Sequence, residues 1–363
     1  MKTVGVITHW GSLDNYGQTL QTYALQNVLE FLGYNPYLIR YIEDGVKSSF
    51  FKKIWHVFNP NYTFSVLKNR FLNNLDYKNN LKNGRDLRTF LSKHINQAPE
   101  VYSRKALLDN PPLAEVYITG SDQVWNKLDK SYFLDFVRDR KKISYAASFG
   151  GATYSDSEKR ILYDLLKSFS HISVRESSGK NLCKEIGVTN ANVLPDPTVL
   201  LSKDDYVKIS SNPNIGSPYI LIYMLGNKTR FNLKACFDYA KKNGLDIKYV
   251  AGQRQLDKYP KVYPTMEEWL GLIANAKYVV TNSFHGTVIS TILNKPFISI
   301  PLIGCDSSMN GRIETFLSSF NLKDRLTNDM NLLSEEIDFD SVNLKLDEMR
   351  HLGIENLDQM IKN

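Results

Sequence analysis

Residues Val4–Ile42 read VGVITHWGSLDNYGQTLQTYALQNVLEFLGYNPYLIRYI, and the order of patterns within them decides the fold class. VGVIT is a short, β-branched apolar run of the kind that forms a buried strand. The polar loop HWGSLDNYG follows. Beyond it Leu20, Ala24, Leu25, Val28, Leu29 and Leu32 recur at helical spacing, and Gly33 closes the helix. PYLIRYI then supplies a second strand. Strand, loop, helix and strand in so short a span open a parallel, doubly wound sheet, because parallel strands need a crossover between them.

The same alternation returns further along the chain. EVYITGSD and KKISYAASFG read as strands, Ser155 and Glu158 form a capping box before an amphipathic helix, and HISVRE is a further strand. NVLPDPTVL ends this half at its two prolines, and SSNPNIGSP reads as a linker. A second series follows: strand YILIYMLG, helix Asn232–Lys242, strand IKYVAG, helix Thr265–Ala276, strand KYVVTN, helix Thr287–Leu293, strand PFISI and helix Ile313–Phe320. The fold class is therefore α/β, with two Rossmann-like domains facing a cleft: residues 1–205, residues 206–330 and a helical tail over 331–363. Residues from about 45 to 110 break the rhythm and read as a basic, aromatic-rich insertion, with helices around Phe50–Phe58 and Leu81–Lys93.

Composition agrees with an ordinary globular protein: 363 residues, 42% hydrophobic and 23% charged. Cys183, Cys236 and Cys305 are widely spaced without a C-x-x-C pair, so no metal site and no disulfide framework are expected. The N-terminal apolar run is too short for a signal peptide and no uncharged stretch is long enough to span a membrane, which points to a cytoplasmic chain. The net charge is +7, but residues 47–105 hold twelve Lys/Arg against three Asp/Glu. With FFKKIWHVF inside it, this segment suggests peripheral association at the inner face of the membrane, set against the plainer reading of a solvated basic face. No nucleic-acid-binding signature accompanies the charge.

Open α/β sheets bind ligands beyond the carboxyl ends of their strands. The candidate residues are those that the pattern places there. Asn15, Tyr16, Gly17 and Gln18 end the first loop and enter a helix whose N–H groups suit an anion. Gly120, Ser121 and Asp122 repeat this arrangement; Asp122 reads equally as a functional carboxylate and as a helix cap. Arg175 ends a strand, either pointing into the cleft as an anion fork or pairing with Glu176. Arg312, after GCDSSMNG, is open in the same way. His285 stands out among six histidines because Asn282 and Ser283 precede it and Gly286 and Thr287 follow it at a strand-to-helix joint, where free N–H groups gather.

In order, NYGQTLQTYALQ, GSDQVWN, SYAASFG, SVRE, LPDPTVLL and TNSFHGT resemble the polysaccharide pyruvyl transferase family, from Val4 to about Arg325. The resemblance implies two Rossmann-like domains similar to those of many glycosyltransferases, phosphoenolpyruvate as co-substrate and no other cofactor. It implies as acceptor a sugar or lipid-linked oligosaccharide of a cell-surface polysaccharide precursor, with a ketal as product. It also implies His285 as an active-site group and Arg175 as a phosphate-site arginine. Some members carry arginine two residues before the histidine, where this chain has Ser283, which leaves Arg175, Arg312 and the N–H groups near Thr287 to hold the anion. On this reading His285 is the acid, Asp122 positions or deprotonates the acceptor, and Asn282, Ser283, Gly286 and Thr287 flank the donor. Two alternatives stand beside it: a glycosyltransferase with a nucleotide-sugar donor, and a non-catalytic carbohydrate-binding relative.

Overall fold

The computed structural model describes residues 1–43, 71, 74–211, 216–226, 231–253 and 257–363. Seven strands form the first sheet: β1 (Thr3–Ile7), β2 (Asn35–Tyr41), β3 (Gln97–Tyr102), β4 (Val116–Thr119), β5 (Lys141–Ala147), β6 (His171–Val174) and β7 (Asn192–Val193). Four form the second: β8 (Tyr219–Tyr223), β9 (Asp246–Val250), β10 (Tyr278–Thr281) and β11 (Phe297–Ser299). Every pairing is parallel, in the orders β3-β2-β1-β4-β5-β6-β7 and β11-β10-β8-β9. Strand order reverses between β1 and β4 in one sheet and between β8 and β10 in the other. The loops after these strands therefore lie at the switch points where ligand crevices open.

The helices of the described residues include α1 (Tyr16–Phe31), α2 (Leu87–His94), α3 (Arg104–Asp109), α4 (Asp156–Leu166), α5 (Ser177–Glu185), α6 (Lys203–Ile209), α7 (Leu233–Lys242), α8 (Met266–Asn275), α9 (Phe284–Ile292), α10 (Asn310–Ser318) and α11 (Phe339–Lys362). The capping boxes at Ser155/Glu158 and Thr265/Glu268 both form. Four readings of the sequence change. The helix expected from Thr287 begins three residues earlier, because the Ser283 hydroxyl caps the Gly286 N–H and carries His285 into the first turn. The last helix of the second series starts at Asn310 and ends at Ser318. The helix expected over Leu81–Lys93 is broken at Gly84, whose φ of +75° no helix holds, and restarts after Asp86 caps α2. Finally, part of the supposed insertion, Gln97–Tyr102, is the edge strand β3 of the first sheet. The segment Phe50–Phe58, with Lys52 and Lys53, lies outside the described residues.

One apolar cluster runs through both sheets. It joins Leu20, Leu25 and Leu29 of α1 to Trp269 and Leu270 of α8 and to Val288 and Ile289 of α9. Helix α11 returns to the first sheet: Gly353 fits against Leu200, Tyr145 and Pro195, and Asp358 accepts from the Tyr34 hydroxyl at 2.7 Å. Leu357 and Ile361 are fully buried in the same cluster, and each such side chain stabilises by about 1.5–3 kcal/mol. Among the described residues no helix is long and apolar enough to cross a membrane.

Candidate functional site

Between the carboxyl edges of the two sheets lies a cavity of about 320 Å³. Asn15, Asp122 and Gln123 line it from the first domain; Asn282, Ser283, Phe284, His285 and Arg312 line it from the second. A larger groove of about 690 Å³, beside Glu115 and Arg138, lies at the amino ends of β1 and β4. Parallel sheets place their chemistry at the opposite edge, so the smaller cavity is the candidate site.

The β10–α9 joint is held by its own polar groups. Thr281 Oγ1 donates to the Tyr223 carbonyl at 2.6 Å and accepts from the Ser283 N–H at 3.0 Å. The Asn282 amide grips the Leu225 backbone, accepting at 2.7 Å and donating at 2.9 Å, and thereby fixes the loop after β8. Gly286 lies so close to Thr281 that a Cβ would stand 2.5 Å from its hydroxyl. Thr287 is fully buried and hydrogen-bonded to Ser299 at 2.6 Å. Asn282 and Thr287, expected to flank the donor, thus spend their side chains on the scaffold. What the joint offers a ligand is backbone: among the described residues the N–H groups of Phe284 and His285 have no acceptor, as the first turn of a helix leaves them.

His285 lies between two elements of the first domain. Its Nε2 is 3.6 Å from Asp196 Oδ2. The ring edge carrying Nδ1 rests against Gly17, where a Cβ would come within 2.0 Å of that nitrogen. Asp196 follows β7 within LPDPTVLL and is wholly enclosed. Its Oδ1 accepts from the Thr198 N–H and hydroxyl at 3.0 and 2.6 Å, while Oδ2 accepts from Ser121 Oγ at 2.7 Å and Arg175 Nη1 at 2.8 Å. Burial pushes this carboxyl up, but His285, Arg175 and Thr198 together outweigh it and hold the group well below the usual carboxylate range.

Arg175 therefore pairs with Asp196 rather than with the neighbouring Glu176. Its Nε and Nη2 are buried without a partner among the described residues, and its guanidinium stands 4.5 Å over the Phe284 ring. The Arg312 guanidinium is 6.0 Å from the same ring, and a Gln123 amide turned with its oxygen inward accepts from both of its Nη atoms at 2.9 Å. Burial and the Arg175 charge lower Arg312 to about 10, with Glu176, Asp122 and Asp196 opposing; it stays cationic at neutral pH. Arg312 and the open helix N–H groups face the cavity, while Arg175, enclosed on the Phe284 ring, is not among the residues lining it; positive charge and free N–H groups on one wall are an arrangement suited to an anion.

The first-domain loops are more mixed. Asn15 caps α1 by accepting from the Gln18 N–H at 3.2 Å, and Gln18 Oε1 accepts from the Ser12 N–H at 3.1 Å. Tyr16 is fully buried: it stacks on Trp269 at 4.7 Å and donates to the Pro264 carbonyl at 2.6 Å. Burial raises its phenol to about 12, against the opposing pull of Arg85. It is an interdomain anchor, not an open cleft residue. Gly120 packs on Thr8 and Val6, and Ser121 is fully enclosed. Asp122 does reach the cavity, with a φ of +82° that a β-carbon normally disfavours. Burial raises its carboxyl, but His9, Arg175 and His285 prevail and hold it below the usual range.

The sequence reading missed Asp196, Gln123 and His9. Asp196 stood inside a quoted motif without a role; its two flanking prolines, in a stretch with no ladder to join, were the available signal. Among the described residues no group of three or more His, Cys, Asp or Glu side chains is placed to hold a metal ion.

Over its full length the chain is similar in structure to a glycosyltransferase from Rickettsia africae, with TM-score 0.52, 13% identity and coverage of 100% of this chain and 99% of that one. It also aligns with the UDP-GlcNAc 2-epimerase of Neisseria meningitidis bound to UDP-GlcNAc (TM-score 0.47, 11% identity, 99% and 98% covered) and with Anabaena HepE in complex with UDP and glucose (0.43, 10%, 96% and 99%). At these identities the likeness concerns the fold alone. No curated protein is matched by the sequence. The model of one family, polysaccharide pyruvyl transferase, matches residues 15–302, a span that contains the Asp196–His285 pair, Arg175 and Asp122. The chain belongs to the polysaccharide pyruvyl transferase family.

Proposed function

We propose that this protein transfers the enolpyruvyl carbons of phosphoenolpyruvate to two hydroxyls of a sugar in a cell-surface polysaccharide precursor, forming a pyruvate ketal. The observation that carries this reading is the union of an acid–base histidine with an anion corner: His285 on Asp196, beside Arg175, Arg312 and the free N–H groups of Phe284 and His285. Phosphoenolpyruvate bears a phosphate and a carboxylate on one small carbon frame, and its chemistry starts with protonation of carbon 3.

His285 gives that proton as the carbon–carbon π pair becomes the C3–H bond. Carbon 2 is left electron-poor, and the first sugar hydroxyl forms a bond to it. The C2–O bond to phosphate then breaks, its electron pair departing with phosphate. A second hydroxyl closes the ketal. One hydroxyl proton leaves on the phosphate and the other restores His285, so the sum is donor plus diol to ketal plus phosphate. Asp196 stabilises the imidazolium, while the guanidinium pair offsets the donor's charge.

A donor that binds only the native state raises the melting temperature. Phosphoenolpyruvate is expected to do so more than UDP-glucose. A shift with UDP-glucose and none with phosphoenolpyruvate overturns the reading in favour of nucleotide-sugar transfer.

A further inference from the structure

A chain of buried polar groups fixes which way one amide at the cavity faces. Arg85 is enclosed in the interior, and a guanidinium can only donate. Its Nε and Nη2 give to Asn80 Oδ1 at 2.8 and 2.5 Å, so the Asn80 amide nitrogen is turned the other way and gives to Asp14 Oδ2 at 3.2 Å. Asp14 is buried in the loop between β1 and α1, and a carboxylate can only accept. Its Oδ1 takes the Ser12 hydroxyl at 3.0 Å and, from the second domain, Gln253 Nε2 at 3.0 Å.

Gln253 stands in the turn after β9, and its backbone is held as firmly as its amide. Arg85 Nη1 gives to the Ala251 carbonyl at 2.5 Å, and the Gly226 N–H gives to the Gln253 carbonyl at 2.9 Å. With its nitrogen committed to Asp14, Gln253 keeps Oε1 without a partner among the described residues, and the residue lines the same cavity as His285 and Arg312. Asn15, next to Asp14, lines that cavity too and is turned in the opposite sense. Its Oδ1 accepts from the Gln18 N–H, which leaves Nδ2 without an acceptor among the described residues.

An amide oxygen meets a ligand O–H well and a ligand oxyanion badly, because it has only lone pairs to offer. Phosphoenolpyruvate presents oxyanions, for which Arg312 and the open N–H groups of α9 are the complement. A sugar presents hydroxyls, which both donate and accept. We infer that Gln253 Oε1 binds a hydroxyl of the acceptor sugar, with Asn15 Nδ2 donating to a sugar oxygen and Asp14 as the positioning residue for Gln253; this rests on the pyruvyl-transfer reading.

The test compares wild type, Gln253→Ala and Asp14→Asn, with phosphoenolpyruvate and a panel of methyl hexopyranosides that includes analogues lacking one hydroxyl each. Phosphate release gives kcat and the acceptor KM, and thermal shift reports donor binding. Gln253→Ala is expected to raise the acceptor KM roughly 2- to 10-fold, the worth of one neutral hydrogen bond, with the phosphoenolpyruvate-induced shift unchanged. At one position of the panel, removing the hydroxyl is expected to cost wild type a similar factor and Gln253→Ala nothing further. Asp14→Asn, which offers Gln253 both a donor and an acceptor, frees the amide to turn and is expected to raise the acceptor KM by a smaller factor at nearly constant kcat; a merely structural Asp14 lowers the melting temperature and leaves KM where it was. An unchanged acceptor KM in a folded Gln253→Ala protein overturns the inference alone, as do deoxy analogues that lose the same factor in both proteins, or wild type that binds phosphoenolpyruvate and uses no glycoside of the panel. Wild type that neither binds nor consumes phosphoenolpyruvate overturns the underlying reading, and the assignment of this sugar as acceptor with it.

Discussion

His285 and His9 each face an aspartate at the carboxyl edge of a sheet, at 3.6 and 3.7 Å, yet their settings are opposed. His285 is closed in by Gly17, Phe284 and a carboxylate with no exposure, and a buried arginine shares that carboxylate. His9 is partly open, and its second neighbour, Glu43, is a solvent-facing acid. A proton bound for carbon must be kept from water, which favours enclosure. The enclosed imidazole belongs to the second domain but is held by Gly17 and Asp196 of the first, whereas His9 keeps to first-domain partners alone.

That contrast can be broken at several points. Removing the acid should have the largest effect: His285→Ala is expected to cut phosphate release by about 10²- to 10⁴-fold with a near-native melting temperature. Normal turnover would show that the enclosed histidine is only scaffold. Asp196→Asn comes next, because it strands the Arg175 charge in the interior; denaturant unfolding should show a loss of roughly 3–5 kcal/mol. Asp196 has a depressed carboxyl in the folded state, so its contribution is present above the ordinary carboxylate pKa of about 4 and fades as pH falls below it. The variant should therefore lose less stability than wild type on acidification. An unchanged acid limb would remove Asp196 from the account.

Arg312→Gln probes the anion corner without touching a buried ion pair. Calorimetry should report phosphoenolpyruvate binding weakened by about 10-fold or more, as charge-assisted hydrogen bonds are worth roughly 1.5–3 kcal/mol. Equal affinity would place the donor elsewhere. The smallest expected effect is that of Gly17→Ala, where one methyl presses on His285. Overpacking of this kind costs about 1–3 kcal/mol, read as a lower melting temperature together with reduced turnover. An undisturbed variant would mean that the contact between α1 and the imidazole yields freely.

The sequence carried the alternation of strands and helices, and with it the strand ends at which His285, Arg175 and Asp122 are found. Such positions are legible because local pattern fixes them. Asp196 was not, since its role arises only when β4, β6 and α9 bring Ser121, Arg175 and His285 to one carboxylate. β3 was missed because QAPEVY has a proline and no apolar alternation, as suits an edge strand that pairs on one side. Tyr16 was misread for a related reason: its loop motif looks open in one dimension, and only the docking of Trp269 closes it.

The cluster that unites α1 with α8 and α9 has a consequence for how the chain is made. Tyr16 leaves the ribosome long before Trp269, the ring on which it stacks; at about 5–20 residues per second the interval is roughly 10 to 50 seconds. During that time the first sheet can close while one side of α1 still lacks its cover. The nascent chain thus carries an uncovered apolar stripe through about two-thirds of its synthesis, the interval in which a chaperone that shields α1 until the second sheet emerges would act.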